Sequence, residues 1–395
     1  MTPTTTPQTF DVETAVLDRY KSGASCVQPA LCCPPIDYDD RYLDVLPREI
    51  IDKDYGCGDP SKSVGEGETV VDLGSGAGKI CYILAQKVGP AGHVIGVDFN
   101  DQMLAVARRH HHGITRKIGY DNVRFAKGRI QDLALNLERV QNWLDRHPVR
   151  TIEDLAALDT ESNRLRREEP LIGDDCVDVV VSNCVLNLVR QPDKQRLFAE
   201  IFRVLKRGGR AVISDIVCDE EPGPAIVNDP ELWSGCIAGA FREDRFLRMF
   251  ERAGFHGIEI LDRPDEPWRT IEGIEFRSLS VRAFKGKQGP CLERNQAVIY
   301  TGPWKTVKDD DGHTYQRGRR MAVCDKTYGL LTDAAGPYHH QVVGVLPRHE
   351  VSLDDAAPFD CERNRFRDPR EIKGEEFRET IQSQEGDCCG PGGCR

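Results

Sequence analysis

Residues 68–84 read ETVVDLGSGAGKICYIL, and this stretch decides the fold. The apolar run that ends at Asp72 predicts a buried β-strand, and the apolar residues after Gly78 predict a helix. Gly74, Gly76 and Gly78 lie between the two, where a missing Cβ allows a tight turn and a close approach of the backbone to a ligand. The stretch therefore predicts a strand, a glycine-rich turn and a helix that form one side of a cofactor site.

A second apolar run, HVIGVDFN over residues 93–100, follows about twenty residues after the glycines. It reads as a strand ending at Asp98, whose carboxylate can accept hydrogen bonds from both hydroxyls of a ribose. Short apolar runs alternate with helical patterns over residues 66–285, which predicts an α/β fold with a parallel sheet. NAD and S-adenosylmethionine (SAM) both fit such a site. NAD sites carry G-x-G-x-x-G, whereas this chain has Gly-Ser-Gly-Ala-Gly.

The rest of the chain divides into three further stretches. Residues 1–65 read as an irregular segment with cysteines among Pro and Gly. Residues 286–355 carry Val- and Tyr-rich runs around the turn segment KDDDGH, which predicts a small β-rich C-terminal domain. Residues 356–395 are charged and end in GDCCGPGGCR, which predicts a mobile, Cys-rich tail.

Charge and hydropathy exclude several kinds of partner. The 395 residues include 53 Lys and Arg and 64 Asp and Glu. The resulting net charge of −11 disfavours non-specific electrostatic binding to DNA or RNA. The chain has no run of 18 apolar residues that could span a membrane. The first residues, MTPTTTPQTF, lack the basic and apolar segments of a secretory signal. We therefore expect a cytoplasmic protein with no nucleic-acid or membrane partner.

Fifteen cysteines in a chain expected in the reducing cytosol indicate thiol chemistry or binding of a soft element rather than a disulfide framework. Cys184 lies at the end of the predicted fourth strand, where the active sites of α/β proteins gather. Cys236 follows the fifth strand in ELWSGCIAGAF, and Cys57 lies just before the glycine-rich strand. Taken singly, each of these cysteines is equally well explained as a buried packing residue.

The glycine-rich stretch resembles motif I of the class I SAM-dependent methyltransferases, which have a Rossmann-like fold. This resemblance implies that Asp72 lies near the methionine end of SAM, Asp98 at its ribose and Met103 against its adenine. GRIQDLAL, over residues 128–135, resembles the segment that flanks the adenine. The cofactor-binding residues that the resemblance implies are Asp72, Gly74, Ser75, Gly76, Gly78, Asp98, Phe99, Met103, Arg129, Ile130 and Asn183.

Four further motifs are specific: YGCG before motif I, SNCVLNL at the end of the fourth strand, W-x-x-C followed by small residues, and the Cys-rich tail. Through these motifs the chain, from about Cys32 to about residue 355, resembles the arsenite methyltransferase family. The resemblance implies SAM-dependent methylation of thiolate-bound arsenic(III), in a detoxifying enzyme. It implies that Cys57, Cys184 and Cys236 hold the arsenic.

The same resemblance implies that Cys32 or Cys33 joins a disulfide relay during turnover. The substrate would be arsenite or its thiol conjugates, and a thiol such as glutathione or thioredoxin would be the reductant. The chain departs from the family pattern by a mostly polar helical insertion from about Leu135 to Glu169.

Two other functions remain open from the sequence. One is a C- or O-methyltransferase for a small organic molecule, in which the cysteines only pack. The other is a thiol-rich metalloid buffer or sensor without catalysis. The intact Asp72, the glycines and Asp98 argue against the second.

Overall fold

A computed structural model describes residues 10–26 and 37–374 of the chain. The chain divides into two compact units, Met1–Gly286 and Lys287–Arg395. The helices of the first unit are α1 (Val12–Ser25), α2 (Asp40–Leu43), α3 (Arg48–Asp52), α4 (Lys79–Val88), α5 (Asp101–Ile118), α6 (Leu137–Leu144), α7 (Ile152–Glu168), α8 (Lys194–Val204), α9 (Pro224–Val227), α10 (Pro230–Ser234) and α11 (Glu243–Ala253). Short 3₁₀ turns cover Pro60–Ser63, Leu186–Leu188 and Gln191–Asp193.

The strands of the first unit form one twisted sheet. They are β1 (Thr69–Leu73), β2 (His93–Asp98), β3 (Val123–Lys127), β4 (Val177–Asn183), β5 (Leu205–Cys218), β6 (Phe241–Arg242), β7 (His256–Asp262), β8 (Arg269–Ile271) and β9 (Ile274–Phe284). The main order is β3-β2-β1-β4-β5-β9-β7. The strands β1 to β5 are parallel, and β9 runs antiparallel to both β5 and β7. The predicted α/β fold with a parallel sheet is therefore confirmed.

Both faces of the sheet are buried, which explains why its strands are continuous apolar runs. In β1, Val71 faces a core completed by residues of α8 and α11, such as Phe198 and Phe250. Its neighbour Val70 faces the opposite core, which α4 and α5 complete. The strand order reverses between β1 and β4, so the loops after these strands diverge and leave a crevice at their carboxyl ends.

The first helical turns next to this crevice are fixed by local sequence. Gly78 starts α4 with φ of 89°, and a Cβ there would lie 2.8 Å from the Phe125 ring, so the position requires glycine. The Asn100 side chain caps α5 by accepting hydrogen bonds from the backbone N–H groups of Gln102 and Met103. Within residues 10–26 and 37–374, the helices are all too short or too polar to cross a bilayer.

The prediction that residues 1–65 are irregular is wrong for much of the part that the structure describes. Asp11 caps α1, where its carboxylate accepts hydrogen bonds from the Glu13 N–H and the Thr14 hydroxyl. At the other end of the helix, the Tyr20 ring meets the Tyr55 ring edge-on with centroids 6.0 Å apart. Capping and apolar packing thus order a segment whose Pro and Gly content suggested a loop.

The second unit is rich in short strands, as predicted. Its elements are β10 (Leu292–Glu293), β11 (Ala297–Tyr300), β12 (Thr306–Lys308), β13 (Thr314–Gln316), β14 (Arg320–Ala322), α12 (Asp325–Thr332), β15 (Val342–Val345), β16 (Ala357–Pro358) and α13 (Pro369–Lys373). The strand β11 pairs with β14 and β15, while β12 and β13 form a hairpin around the predicted KDDDGH turn. Tyr300, Tyr315 and Met321 lie in its apolar core.

The prediction of a mobile tail from residue 356 onward is wrong for residues 356–374. Strand β16 pairs with β10, and the side chain of Arg367 is fully buried. Its guanidinium forms ion pairs of 2.7 Å with Glu293 and 2.6 Å with Glu371. Charged residues therefore tie this segment to β10, because a buried guanidinium needs carboxylate partners.

Replacing Arg367 by Ala should lower the free energy of unfolding of the second unit by about 2–3 kcal/mol. The value lies below that for a fully buried pair because both carboxylates are partly exposed. Urea denaturation of the full chain measures the loss, with the exposed Arg363→Ala as a control expected to change stability by less than about 0.5 kcal/mol. Equal stability of the two variants would contradict a stabilising role for the buried ion pairs of Arg367.

Candidate active site

A cavity opens at the carboxyl ends of β1, β2 and β4, in the crevice where the strand order reverses. Its empty volume is about 1230 Å³ with the open mouth included. The predicted cofactor residues that line it are Asp72, Gly74, Ser75, Gly76, Asp98, Phe99, Met103, Arg129, Ile130 and Asn183. Gly78 instead shapes the turn into α4.

The acid at the end of β2 is held by the glycine-rich turn. One oxygen of Asp98 accepts a hydrogen bond of 2.8 Å from the Gly76 N–H, and the other accepts one of 2.7 Å from the Asn100 N–H. Burial raises the pKa of Asp98, while these hydrogen bonds act against the shift. A carboxylate oxygen has a second lone pair, so each remains able to accept a hydroxyl hydrogen bond.

Two polar atoms on the cavity wall indicate a ligand. The Ser75 hydroxyl oxygen and the Asn100 side-chain nitrogen are buried, and neither has a hydrogen-bond partner among the residues that the structure describes. Buried polar groups in folded proteins are nearly always hydrogen-bonded. Asn100 and the residue after Ser75, Gly76, both donate backbone hydrogen bonds to Asp98. This part of the wall therefore fits a ligand with several hydroxyl or amine groups, such as the ribose and amino-acid portions of SAM.

Asp72, at the end of β1, is almost fully buried. Burial raises its pKa to about 7, although a hydrogen bond of 3.2 Å from the Cys81 thiol acts in the other direction. SAM carries a sulfonium and an ammonium group, and a neighbouring cation favours the ionised carboxylate. The position of Asp72 therefore fits the cationic end of the cofactor.

Helix α1 forms a wall of the cavity that the sequence reading missed. Its apolar side chains that line the cavity are Val16, Leu17 and Tyr20. The Arg129 guanidinium pairs with Glu13 at 3.0 Å and lies 5.1 Å from the centre of the Phe99 ring, which links the helix to the adenine-flanking segment. The sequence does contain a pattern that predicts this helix, namely Asp11 as a helix cap followed by apolar residues at helical spacing.

Cys184 follows β4 and lines the cavity, and Cys236 follows α10. Ligand atoms of Cys184, Cys236 and Asp215 all lie within 4.8 Å of one another, and all three residues are buried. The Cys236 thiol donates a hydrogen bond of 3.1 Å to the Cys184 carbonyl. Both cysteines have φ of 63°, a left-handed conformation that costs a residue other than glycine roughly 1–3 kcal/mol. Such strain is typical of functional sites.

Asp215 and Lys194 are further buried groups of this site, and the sequence reading missed both. Burial raises the pKa of Asp215 to about 7 and lowers the pKa of Lys194 to about 7. One oxygen of Asp215 accepts hydrogen bonds from the N–H groups of Leu186 and Asn187, at 2.7 and 3.3 Å. The Lys194 ammonium donates to the Gly239 carbonyl. Asp215 thereby fixes the turn that follows Cys184.

The segment around Cys57 is attached to the end of β4 through Asn183. The Asn183 side-chain oxygen accepts hydrogen bonds of 2.7 Å from the Cys57 N–H and 3.0 Å from the Gly58 N–H. Its nitrogen donates to the Gly58 carbonyl at 2.7 Å. A Cβ on Gly56 would lie 2.1 Å from that nitrogen, so the close approach requires glycine.

Cys57 is buried in the same apolar cluster as Cys184 and Cys236. The group of ligand atoms that lie within 4.8 Å of one another consists of Cys184, Cys236 and Asp215, and does not include Cys57. Cys32 and Cys33, predicted for the relay, lie outside the described residues.

Affinity for SAM should fall as the pH is lowered through about 7. Below that pH, Asp72 is largely protonated in the ligand-free protein because burial has raised its pKa, whereas the cationic cofactor favours its ionised form. Titration calorimetry between pH 5.5 and 8 should show a loss approaching tenfold per pH unit at the acid end. Asp72→Asn should bind SAM weakly with no such dependence. An equal dependence in both proteins would assign it to another group.

Comparisons with known proteins identify the two units separately. Residues 65–254 match the family described as a methyltransferase domain. Residues 287–377 match a domain of unknown function (DUF8838). The crystal structure of CrArsM, an arsenic (III) S-adenosylmethionine methyltransferase from Chlamydomonas reinhardtii, superposes with a TM-score of 0.51 at 26% identity, over 84% of this chain and 99% of that one. The predicted class I SAM methyltransferase fold is confirmed.

Relatives of established name cover most of the chain. The arsenite methyltransferase of Aquipseudomonas alcaligenes is 32% identical over 315 residues, which span 76% of this chain and 80% of that protein. The human arsenite methyltransferase is 30% identical over 293 residues, which span 71% of this chain and 68% of the human protein. The protein is a SAM-dependent methyltransferase, and it belongs to the arsenite methyltransferase family.

Proposed function

We propose that the protein transfers the methyl group of SAM to trivalent arsenic held by Cys184 and Cys236, with Cys57 as the third thiolate. The observation that carries this proposal is the convergence of two strained, buried cysteines, one of which lines the cavity. Cys184 belongs both to this pair and to the cavity wall. A substrate bound to its sulfur therefore lies next to the cofactor.

The donor set suits arsenic(III). A soft, thiophilic centre prefers thiolates to oxygen or imidazole donors. The sulfurs displace hydroxyl groups or glutathione from arsenite, and a three-coordinate arsenic(III) keeps a lone pair. Asp215 lies within reach of both sulfurs, and burial raises its pKa to about 7, so its carboxylate can accept a thiol proton as the arsenic binds.

Bound SAM supplies an electrophilic methyl group on its sulfonium. The chain orients that cofactor through Asp72 at its cationic end and Asp98 at its ribose, and α1 lines the cavity with Val16, Leu17 and Tyr20. The nucleophile is a lone pair that carries no proton, so the transfer itself needs no general base. Catalysis then consists mainly of positioning and water exclusion.

Each methyl transfer takes two electrons from the arsenic lone pair, which leaves pentavalent arsenic. Oxidation of the thiols of Cys57 and either Cys32 or Cys33 to a disulfide supplies the two electrons that return arsenic to the trivalent state, and releases the two thiol protons. Glutathione or thioredoxin then reduces this disulfide by thiol exchange. We place these steps in the cytoplasm, where such reductants keep thiols reduced.

Cys184→Ser and Cys236→Ser should each abolish methylation of both arsenite and trivalent methylarsenite, since both substrates need the thiolate pair. The Cys32→Ser/Cys33→Ser variant should lose activity on arsenite and keep some on methylarsenite, because that substrate has already passed one reductive cycle. The measurement is methylated product against time, by arsenic speciation in excess thiol.

Cys218→Ser is the matched control, because Cys218 is a buried thiol of the same apolar cluster and forms no part of the 4.8 Å group. It should keep most of its activity. Full methylation by Cys184→Ser would defeat the arsenic proposal and favour a small organic acceptor. Equal loss on both substrates for the Cys32→Ser/Cys33→Ser variant would make those cysteines ligands rather than relay residues.

A further inference from the structure

The second unit contains a cluster of three cysteines that the reaction above does not use. The sulfur atoms of Cys291, Cys324 and Cys361 all lie within 4.8 Å of one another. The three residues come from the start of β10, the start of α12 and the segment after β16. They are far apart in sequence, so the fold of the second unit brings them together.

The backbone around the cluster is held in place before any ligand arrives. The Phe359 N–H donates a hydrogen bond of 2.8 Å to the Cys291 carbonyl, which joins two of the three segments. Cys324 caps α12, where its sulfur accepts a hydrogen bond of 3.4 Å from the Thr327 N–H. Cys324 and Cys361 also line a small surface cavity, whose empty volume is about 280 Å³ with its open mouth included. The backbone contacts thus preorganise the cluster.

The surroundings favour one thiolate in the cluster. Burial opposes ionisation of Cys291, but hydrogen bonds from Cys361 and Cys324 and the nearby Lys326 ammonium outweigh it and lower its pKa. Burial raises the pKa of Cys361, which acts as a donor to Cys291.

The number of ligands distinguishes between soft ions. Structural zinc sites take four ligands, but among the described residues the three sulfurs form a group that no His, Asp or Glu ligand atom joins. His313, on the wall of the small cavity, is engaged with Asp309 at 2.8 Å. Three thiolates and a lone pair complete the coordination of a trivalent metalloid.

We propose that Cys291, Cys324 and Cys361 form a second arsenic(III) site, separate from the methylation site. The choice of arsenic among trivalent soft elements rests on the proposed function, since the same chain would meet arsenite as its substrate. Binding of arsenous acid breaks three As–O bonds and forms three As–S bonds. The oxygens leave as three waters, with protons from the cysteine thiols and, where a cysteine is already ionised, from the solvent, and arsenic stays trivalent throughout.

The test uses arsenite and the full chain. Bound arsenic per chain, measured by mass spectrometry of the element after gel filtration, should fall by one in Cys291→Ser/Cys324→Ser/Cys361→Ser relative to wild type. Serine is a preferred helix cap, so Cys324→Ser preserves the start of α12. If the triple variant does not fold, the single variant Cys361→Ser replaces it. This position is partly exposed, and the variant should show the same loss of one arsenic. Cys176→Ser, at an exposed cysteine of the first unit, should bind as much arsenic as wild type.

Methylation at saturating arsenite should stay within about twofold of wild type in the cluster variants, because none of these cysteines lies in the methylation site. Loss of one bound arsenic in the cluster variants supports the second site. This holds even if the wild-type protein does not methylate arsenite, since that result would contradict only the proposed function. Unchanged arsenic stoichiometry in both cluster variants overturns the second site, whatever the activity. A second result would also overturn the arsenic site: zinc added alone binds at these cysteines, and arsenite does not displace it.

Discussion

The side-chain amide of Asn183 is the contact on which the site depends. Its oxygen and nitrogen together bind both N–H groups and a carbonyl of the Cys57–Gly58 backbone. Because Asn183 ends β4, the same residue attaches that backbone to the strand that leads directly into Cys184. Removing this partly buried amide would leave both backbone N–H groups without their acceptor, which costs stability. This contact therefore holds a cysteine from before the glycine-rich strand beside the cavity.

Strain and a buried polar network complete the arrangement. Cys184 and Cys236 both adopt left-handed backbone conformations, which persist only where surrounding contacts determine them. Asn187 supplies such contacts, since its side-chain nitrogen donates to the Ile216 carbonyl at 2.6 Å and to the Cys236 carbonyl at 3.2 Å. Asp215 binds the backbone of the same turn. The network thus fixes the two thiols at the cost of backbone strain, as expected for preorganised ligands.

Local patterns sufficed for the parts of the site that lie within one strand and its following turn. The glycine-rich turn and Asp98 could be predicted because a strand, a turn and a helix are adjacent in sequence. Cys184 could be placed because carboxyl ends of parallel strands share one edge. The approach of Asp215 to the cysteines, the packing of α1 over the cavity and the convergence of Cys361 with two distant thiols depend on long-range contacts, which spacing along a chain does not encode.

The central claim is that arsenic binds between Cys184 and Cys236, beside the cofactor. A crystal structure with arsenite and S-adenosylhomocysteine, collected at the arsenic absorption edge, tests it most directly. The account predicts an anomalous arsenic peak bonded to both of these sulfurs, with its open side toward the sulfur of the bound nucleoside. An ordered nucleoside in the cavity with no arsenic at Cys184 and Cys236, under conditions in which the protein methylates arsenite, would contradict the account.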